Sequence, residues 1–417
     1  MSSDNVLLKR AKETLERVWN KNNLYTPSSD EGAGVQRIFD TGLLSYGYIH
    51  FDIDKIIDQY RSAFKGQWKN GMLPGSIFYN NTPSHFPDID FWDQRKENDN
   101  SPEIVNTSSF IHPAMSAILL WDVYVKIIKE KGEKEGKIFL EEFYSKIFSA
   151  HNYLLKERDV EGSGMVTIFH PFESGFLHST RWSEVLDTIT PTNIMPYHRI
   201  DSGESDGENH YTKKQYDVLV FLSQNFLEKE YDFSKTQFQV KDVVASCMLY
   251  LSNKKLRKMA SVLNKDTAEI DTWLSRFEMN FIKTYFDEES KTFRDYDLVE
   301  KRLIGGSTLV SFSSLITGLM SSEFLERTVD IFIREEIPRM KKKGFDKVSN
   351  EEIVLLWLIL KGFAEHGGEY KGLRKIRGCL RDILRDKISN DNYKKIDGEF
   401  EYVFSALFID VLEGDRE

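Results

Sequence analysis

HPFESGFLHSTRW, residues 170–182, decides how the rest of the chain is read. These thirteen residues hold His170, Glu173, His178, Arg181 and Trp182 beside the small turn formers Ser174 and Gly175. Imidazole, carboxylate, guanidinium and indole groups at this density have two uses. They build a reactive loop, or they hold loops together through buried Arg–carboxylate pairs. In the middle stands Leu177, which neither donates a proton nor binds a hydroxyl.

The flanks reinforce the first use. RDVEGSGMVTI at 158–168 and PYHRIDSG at 196–203 bring Asp159, His198, Arg199 and Asp201 close in sequence, and Glu184 and Asp187 follow Trp182. Cleavage of a glycosidic bond needs one carboxylic acid for the leaving oxygen and one carboxylate to activate water or attack the sugar. The chain has 29 Phe, 18 Tyr and 7 Trp, and flat rings stack on the apolar faces of sugars. A second loop, WKNGMLPG at 68–75, places Trp68, Asn70 and Gly71 before Phe78. Its two rings suit a stacking wall and its asparagines suit hydroxyls, while a packed helix-end loop is the competing reading. His112, in SSFIHPAMSA at 108–117, reads as a ligand contact or as a capping histidine.

Outside these loops, apolar residues recur every three or four positions, which predicts helices. The clearest runs begin at Pro113, Lys137, Lys214, Val240, Leu256 and Ala268. SNEEIVLLWLILKGFAEHGG opens on a capping box, Ser349 with Glu352, and closes on Gly367 and Gly368. Only MVTIFH from Met165 and TQFQV from Thr236 suggest strands. No Pro/Gly/Ser-rich linker divides residues 1–417, and paired helices with elaborate loops predict one all-α domain, a toroid of helix pairs.

Composition narrows the partners. A net charge of −10 without a dense basic tract argues against nucleic acid. The apolar run from Ile353 is about half of what a bilayer crossing needs. The N-terminal stretch reads as an amphipathic helix without a signal-peptide block, and Cys247 and Cys379 suit buried thiols in a reducing compartment. Together these predict a cytoplasmic protein. Asp88, Asp90 and Asp93 invite a calcium reading, but they lack the glycine turn and distal Glu of calcium loops. No metal and no cofactor is expected; a small carbohydrate is.

The motifs resemble those of glycoside hydrolase family 63, in particular its mannosylglycerate and glucosylglycerate hydrolase branch, which is related to trehalases. HPFESGFLHSTRW is similar to H-P-W-E-S-G-x-D-N-S-x-R-W. QRIFDTGLL from Gln36 resembles the W-x-W-D segment, keeping Asp40 with Arg37 and Phe39 in place of the tryptophans. QWKNGMLPGSIF from Gln67, SSFIHPAMSA, RDVEGSGMVTIFHP and FRDYDLVEKRLIGGSTLVSFSSLITGLMS follow in the family's order, the last like its late Y-D helix hairpin. The resemblance implies an (α/α)6 barrel of about twelve helices. It also implies substrate-binding roles for Asp40, Trp68, Asn70, Gly71, Phe78, His112, His170, His178, Arg181 and Trp182.

It implies two departures as well. The family's proton donor falls on Leu177, and the late W-R-G-P-x-W run is replaced by KVSNEEI. The second carboxylate, a C-terminal Glu, has no clear equivalent near DKISNDNYKKIDGEFEYVF, where Asp391, Asp397 and Glu399 lie. Losing a positioned donor typically costs about 10²–10⁴-fold in rate. Two expectations follow. One is a glycosidase of altered acid/base pair, with Glu173, Asp391 and Glu399 as candidate carboxylates, acting on a small α-linked sugar or glycoside. The other is a descendant that binds sugar without cleaving it.

Overall fold

The computed structural model describes residues 3–30, 32–80, 86–95, 98–197, 211–228, 232–305, 309–367, 372–389 and 400–414. Fifteen α-helices dominate the described residues, with short strands and 3₁₀ turns between them, so the all-α expectation holds. The chain separates into two compact units. The first comprises Met1–Gln36, Asp40–Ser62 and Thr308–Glu417; the second comprises Arg37–Phe39 and Ala63–Ser307.

In the first unit, the amphipathic helix Ser3–Val18 packs on Glu401–Glu413 and on Leu373–Ser389. Helix Asn350–Glu365 starts as its sequence dictates. Ser349 accepts from the Glu352 backbone N–H, Glu352 accepts from that of Ser349, and Gly367 adopts φ 66° just past the end. Gly368 lies outside the described residues. Near the helix centre, Trp357 Nε1 donates to the buried Asp410 at 2.8 Å, and His50 and Lys361 complete that carboxylate's partners.

The second unit is built on helices Ser116–Lys131, Glu133–Glu157, Val243–Val262 and Ala268–Tyr285. Glu133–Glu157 buries Phe139, Leu140, Phe143, Tyr144, Ile147 and Leu154, one stripe at three- and four-residue spacing. The polar stretch before it breaks only at Gly132, so this helix begins four residues earlier than its apolar pattern. After the strand Val240–Lys241, the runs from Val240 and Leu256 form one helix, Val243–Val262, rather than two. Nothing between them breaks a helix, and Asp242 caps the start by accepting from Val244 and Ala245.

The expected strand from Met165 exists in shortened form, whereas that from Thr236 shifts toward the helix after it and keeps only Val240; the two pair with each other. Thr167–Ile168 lies antiparallel to Val240–Lys241, which continues to Asp295–Asp297 and Arg302–Ile304. FRDYDLVEKRLI is therefore a β-hairpin and not the start of a helix pair. Asp297 accepts from the Val299 and Glu300 N–H groups, and Lys301 turns the chain at φ 53°. This sheet fastens the segment leading into 170–182. A second pairing, Ile77 to Thr107 and Phe78 to Asn106, fastens the segment leading into His112. No described helix is long and apolar enough to cross a membrane.

Candidate functional site

The loops quoted above converge, within the second unit, on a small cavity of about 30 Å³ that is partly open to solvent. Each wall has a local cause. Gly75 donates to the Phe110 carbonyl at 2.7 Å, Ser108 N–H to the Ser76 carbonyl at 3.0 Å, and Ser76 N–H to Ser108 Oγ at 3.1 Å. Ser76 and Ser108 thus stand side by side where the two strands meet. Beyond them, His112 Nδ1 bonds the Pro113 carbonyl at 2.7 Å, so Nδ1 carries the proton and Nε2 is left as an acceptor. Burial pushes the imidazole down to about 4, so it is neutral at pH 7.

The opposite wall is the turn at the centre of the opening motif. His170 Nδ1 accepts from Phe172 N–H, Pro171–Ser174 makes one 3₁₀ turn, and Gly175 closes it at φ 84°. A side chain at Gly175 would sit 2.6 Å from the Phe39 ring, so the position requires glycine twice over. Phe39 also packs edge-on against Phe176, and Arg37 Nη2 donates to the Gly175 carbonyl at 3.1 Å. From this held turn Leu177 lines the cavity with Phe172 and Gly175.

Glu173 is placed elsewhere. It is 0 % exposed and does not line the cavity. Oε1 accepts from Ile111 N–H at 3.1 Å and from Arg158 Nη2 at 2.9 Å; Oε2 accepts from Phe169 N–H at 2.9 Å and from Arg158 Nη1 at 3.1 Å. Burial pushes this carboxyl above its ordinary range, against the pull of Arg158 and the two amides. Arg158 is itself enclosed by the Phe169 and Phe233 rings, 5.0 and 4.9 Å from its guanidinium carbon. The arrangement ties three chain segments together and leaves no carboxylate lone pair toward a ligand.

Most of the other expected contacts are likewise met inside the protein. Trp68 is buried, with Nε1 on Thr107 Oγ1 at 3.0 Å and Arg95 over its ring. Asn70 is exposed and caps Met72 N–H, and Gly71 turns at φ 97° with Ser149 against it. Phe78 is in the core. His170 stacks on Phe110 and bonds Leu219 and Ser223. Arg181 pairs with Asp242 at 2.9 Å and Asp295 at 3.3 Å, and the fully buried Trp182 donates to Asp295. His178 is half-buried and away from the cavity lining. In the first unit, Asp40 is buried and accepts from Ser28 Oγ. Asp88 caps the short helix Ile89–Trp92.

Asp391 and Glu399, with Asp397, lie outside the described residues, as do His198, Arg199 and Asp201. Of the expected binding residues, only His112 lines the cavity. Sequence reasoning passed over Ser76, Trp92 and Ser108. The available signal for the two serines was their place directly after Pro74-Gly75 and directly after a short strand.

Comparisons with known proteins agree with this architecture. The Rubrobacter radiotolerans mannosylglycerate hydrolase is 28% identical over 300 residues, which cover 70% of this chain and 66% of that protein. The Selaginella moellendorffii mannosylglycerate hydrolase MGH1 is 27% identical over 293 residues, and there the match spans 58% of its length. The chain thus spans less than two thirds of the first of these relatives. The crystal structure of a GH63 mannosylglycerate hydrolase from Thermus thermophilus, in complex with Tris, superposes with a TM-score of 0.81. It is 23% identical, and the match covers 98% of this chain and 100% of that one, a likeness of fold in accord with the (α/α)6 barrel. The family model for the mannosylglycerate hydrolase MGH1-like glycoside hydrolase domain matches residues 37–335, and the chain belongs to that branch of glycoside hydrolase family 63.

Proposed function

We propose that this chain is a member of its family that binds a small sugar or glycoside without hydrolysing it, the whole chain working as one cytoplasmic domain. The observation that carries the reading is Leu177. It stands where the family resemblance puts the proton donor, it lines the cavity, and no Asp or Glu is among the described residues that line the cavity with it. An alkyl side chain cannot protonate a leaving oxygen, and inverting or retaining hydrolysis alike needs two carboxyl groups across the bond. The ligand class is supported by relatives: solved structures of the T. thermophilus enzyme contain Tris with D-glycerate, or glucose.

The test is a pair of measurements on the full chain. Thermal unfolding with glucose, mannosylglycerate, glucosylglycerate or trehalose is expected to show stabilisation by at least one of them. A ligand at 100 times its Kd adds about 2.7 kcal/mol. Product analysis of the same mixtures at high protein concentration is expected to show no cleavage. Turnover of any of these sugars defeats the proposal.

Membership in a family of hydrolases favours a second reading, a glycosidase whose acid comes from Asp391 or Glu399. It requires turnover that Asp391→Asn or Glu399→Gln abolishes. Leu177→Asp separates the two readings further, because activity gained in that variant shows that only the donor was missing.

A further inference from the structure

Away from the cavity, three charged groups of the second unit share one dry cluster at the end of the 170–182 motif. The Arg181 guanidinium lies 2.9 Å from Asp242 and 3.3 Å from Asp295, and all three side chains are nearly closed to solvent. Their other contacts are neutral. Asp242 Oδ1 accepts from the Val244 and Ala245 N–H groups, and Asp295 accepts from Val243 N–H at 2.9 Å and Trp182 Nε1 at 3.1 Å. From helix Ala268–Tyr285, the Tyr285 hydroxyl bonds Ser246 Oγ and the Asp242 carbonyl, and burial keeps it protonated. Cys247, near that hydroxyl on helix Val243–Val262, is a buried thiol. Along the adjoining strands, Arg294 is taken by Asp287 and Lys241 by Glu161, while Asp297 is held by the Val299 and Glu300 N–H groups. Among the described residues, Arg181 is thus the one cation against two carboxylates.

Two carboxylates in a dry site repel, and such a pair retains a proton to higher pH than either would alone. Burial pushes the Asp295 carboxyl up to about 7, against the pull of Arg181 and with the repulsion of Asp242. Each member also belongs to a different segment: Arg181 ends the motif, Asp242 caps a helix, and Asp295 opens the hairpin that runs to Ile304. We propose that Arg181, Asp242 and Asp295 form a proton-sensitive clamp, closed while one proton is held between the two carboxylates and loosened at residues 179–182 and 295–304 when it is lost. The step is deprotonation alone: the carboxyl O–H breaks, its electron pair stays on the oxygen, and the proton passes to solvent. The clamp does not depend on what the cavity holds.

A carboxyl raised from its ordinary 3.8 contributes stability that is complete below that pH and is lost as pH climbs through about 7. His112, His151 and His170, buried and neutral, tilt stability the other way over part of the same range, so the measurement is a difference between two proteins that share them. Asp295→Asn keeps the shape and removes the titration. Urea unfolding of the full chain and of this variant from about pH 4 to about pH 8 should show the parent losing at least tenfold in its folding equilibrium relative to the variant. Infrared spectra of chains carrying carbon-13 aspartate should show a protonated aspartic acid in the parent at about pH 5.5. That band should vanish by about pH 8.5 and be missing from the variant. Across the same range, amide exchange at 179–182 and 295–304, corrected for its intrinsic pH dependence, should accelerate in the parent only.

A stability difference that stays flat with pH overturns the proposal. So does a parent without protonated aspartic acid at about pH 5.5, a result that holds even where Asp295→Asn does not fold. A titrating Asp295 with unchanged exchange at both segments also overturns it, because the proton would then be held without clamping anything.

Discussion

Replacing Glu173 by Gln tests what the central carboxylate of the opening motif does. In a glycosidase with a relocated acid, Glu173→Gln would abolish turnover and leave the fold intact. The structure points the other way. Each carboxylate oxygen accepts two hydrogen bonds, one from a backbone amide and one from Arg158. Gln keeps the volume but turns one oxygen into an NH₂ group, which then faces two donors instead of accepting from them. The Arg158 guanidinium is left as a buried cation with no carboxylate among its contacts. Removing one partner of a buried ion pair costs about 3–5 kcal/mol, and most of that is the stranded charge.

That is a large share of a typical folding free energy of about 5–15 kcal/mol. Urea unfolding followed by tryptophan fluorescence measures it directly. The double replacement Glu173→Leu with Arg158→Met removes both charges, and should fall short of the sum of the single losses by about 2–3 kcal/mol. A Glu173→Gln protein within about 1 kcal/mol of the parent would refute the reasoning. Glu173 would then be free to act on a ligand.

Two further outcomes follow from the same structure. A side chain at Gly71, at φ 97°, would place its Cβ 2.4 Å from the Ser149 carbonyl oxygen. Backbone cannot yield cheaply there, so Gly71→Ala should cost about 3 kcal/mol or more in urea unfolding. In the first unit, burial works to raise the Asp410 carboxyl, but Lys361, His50 and Trp357 outweigh it and hold it down to about 2 from the usual 3.8. A depressed carboxyl stabilises the fold above its unfolded pKa. About 2 kcal/mol should therefore be present above pH 4 and lost as pH falls from about 4 to 2. Unfolding free energies across that range should show this step in the parent and lack it in Asp410→Asn.

The helices were legible because their causes are local. The capping box at Ser349 and Glu352 and the apolar stripe of Glu133–Glu157 each lie within a few turns of chain, and both appear as read. Joining the runs from Val240 and Leu256 into one helix needed only the absence of a breaker between them. The loops were legible in position and illegible in role. Trp68 has the composition of a sugar platform, yet its N–H meets Thr107, 39 residues further on, and Arg95 covers its ring. Trp182 and Arg181 find Asp295, more than a hundred residues away. Partners at such separations leave no local pattern, so a residue that satisfies itself reads the same as one that awaits a ligand.

That distinction separates the residues of the opening motif that folding accounts for from the one that faces the cavity. Glu173, Ser174, Arg181 and Trp182 all have partners inside the protein, and losing any of them would leave a buried group unpaired. Their presence follows from folding alone. Leu177 belongs to the other class: it lines the cavity, so the partner of whatever stands there is the ligand and not the protein. Such a position changes without cost to the fold, and it is also where a proton donor would act. Arg37 shows the converse. Its bond to the Gly175 carbonyl helps hold the turn, and the same side chain lines the cavity. In a chain built this way, the partnered letters of the motif report the fold, and position 177, which lines the cavity, is where a substitution tests the chemistry.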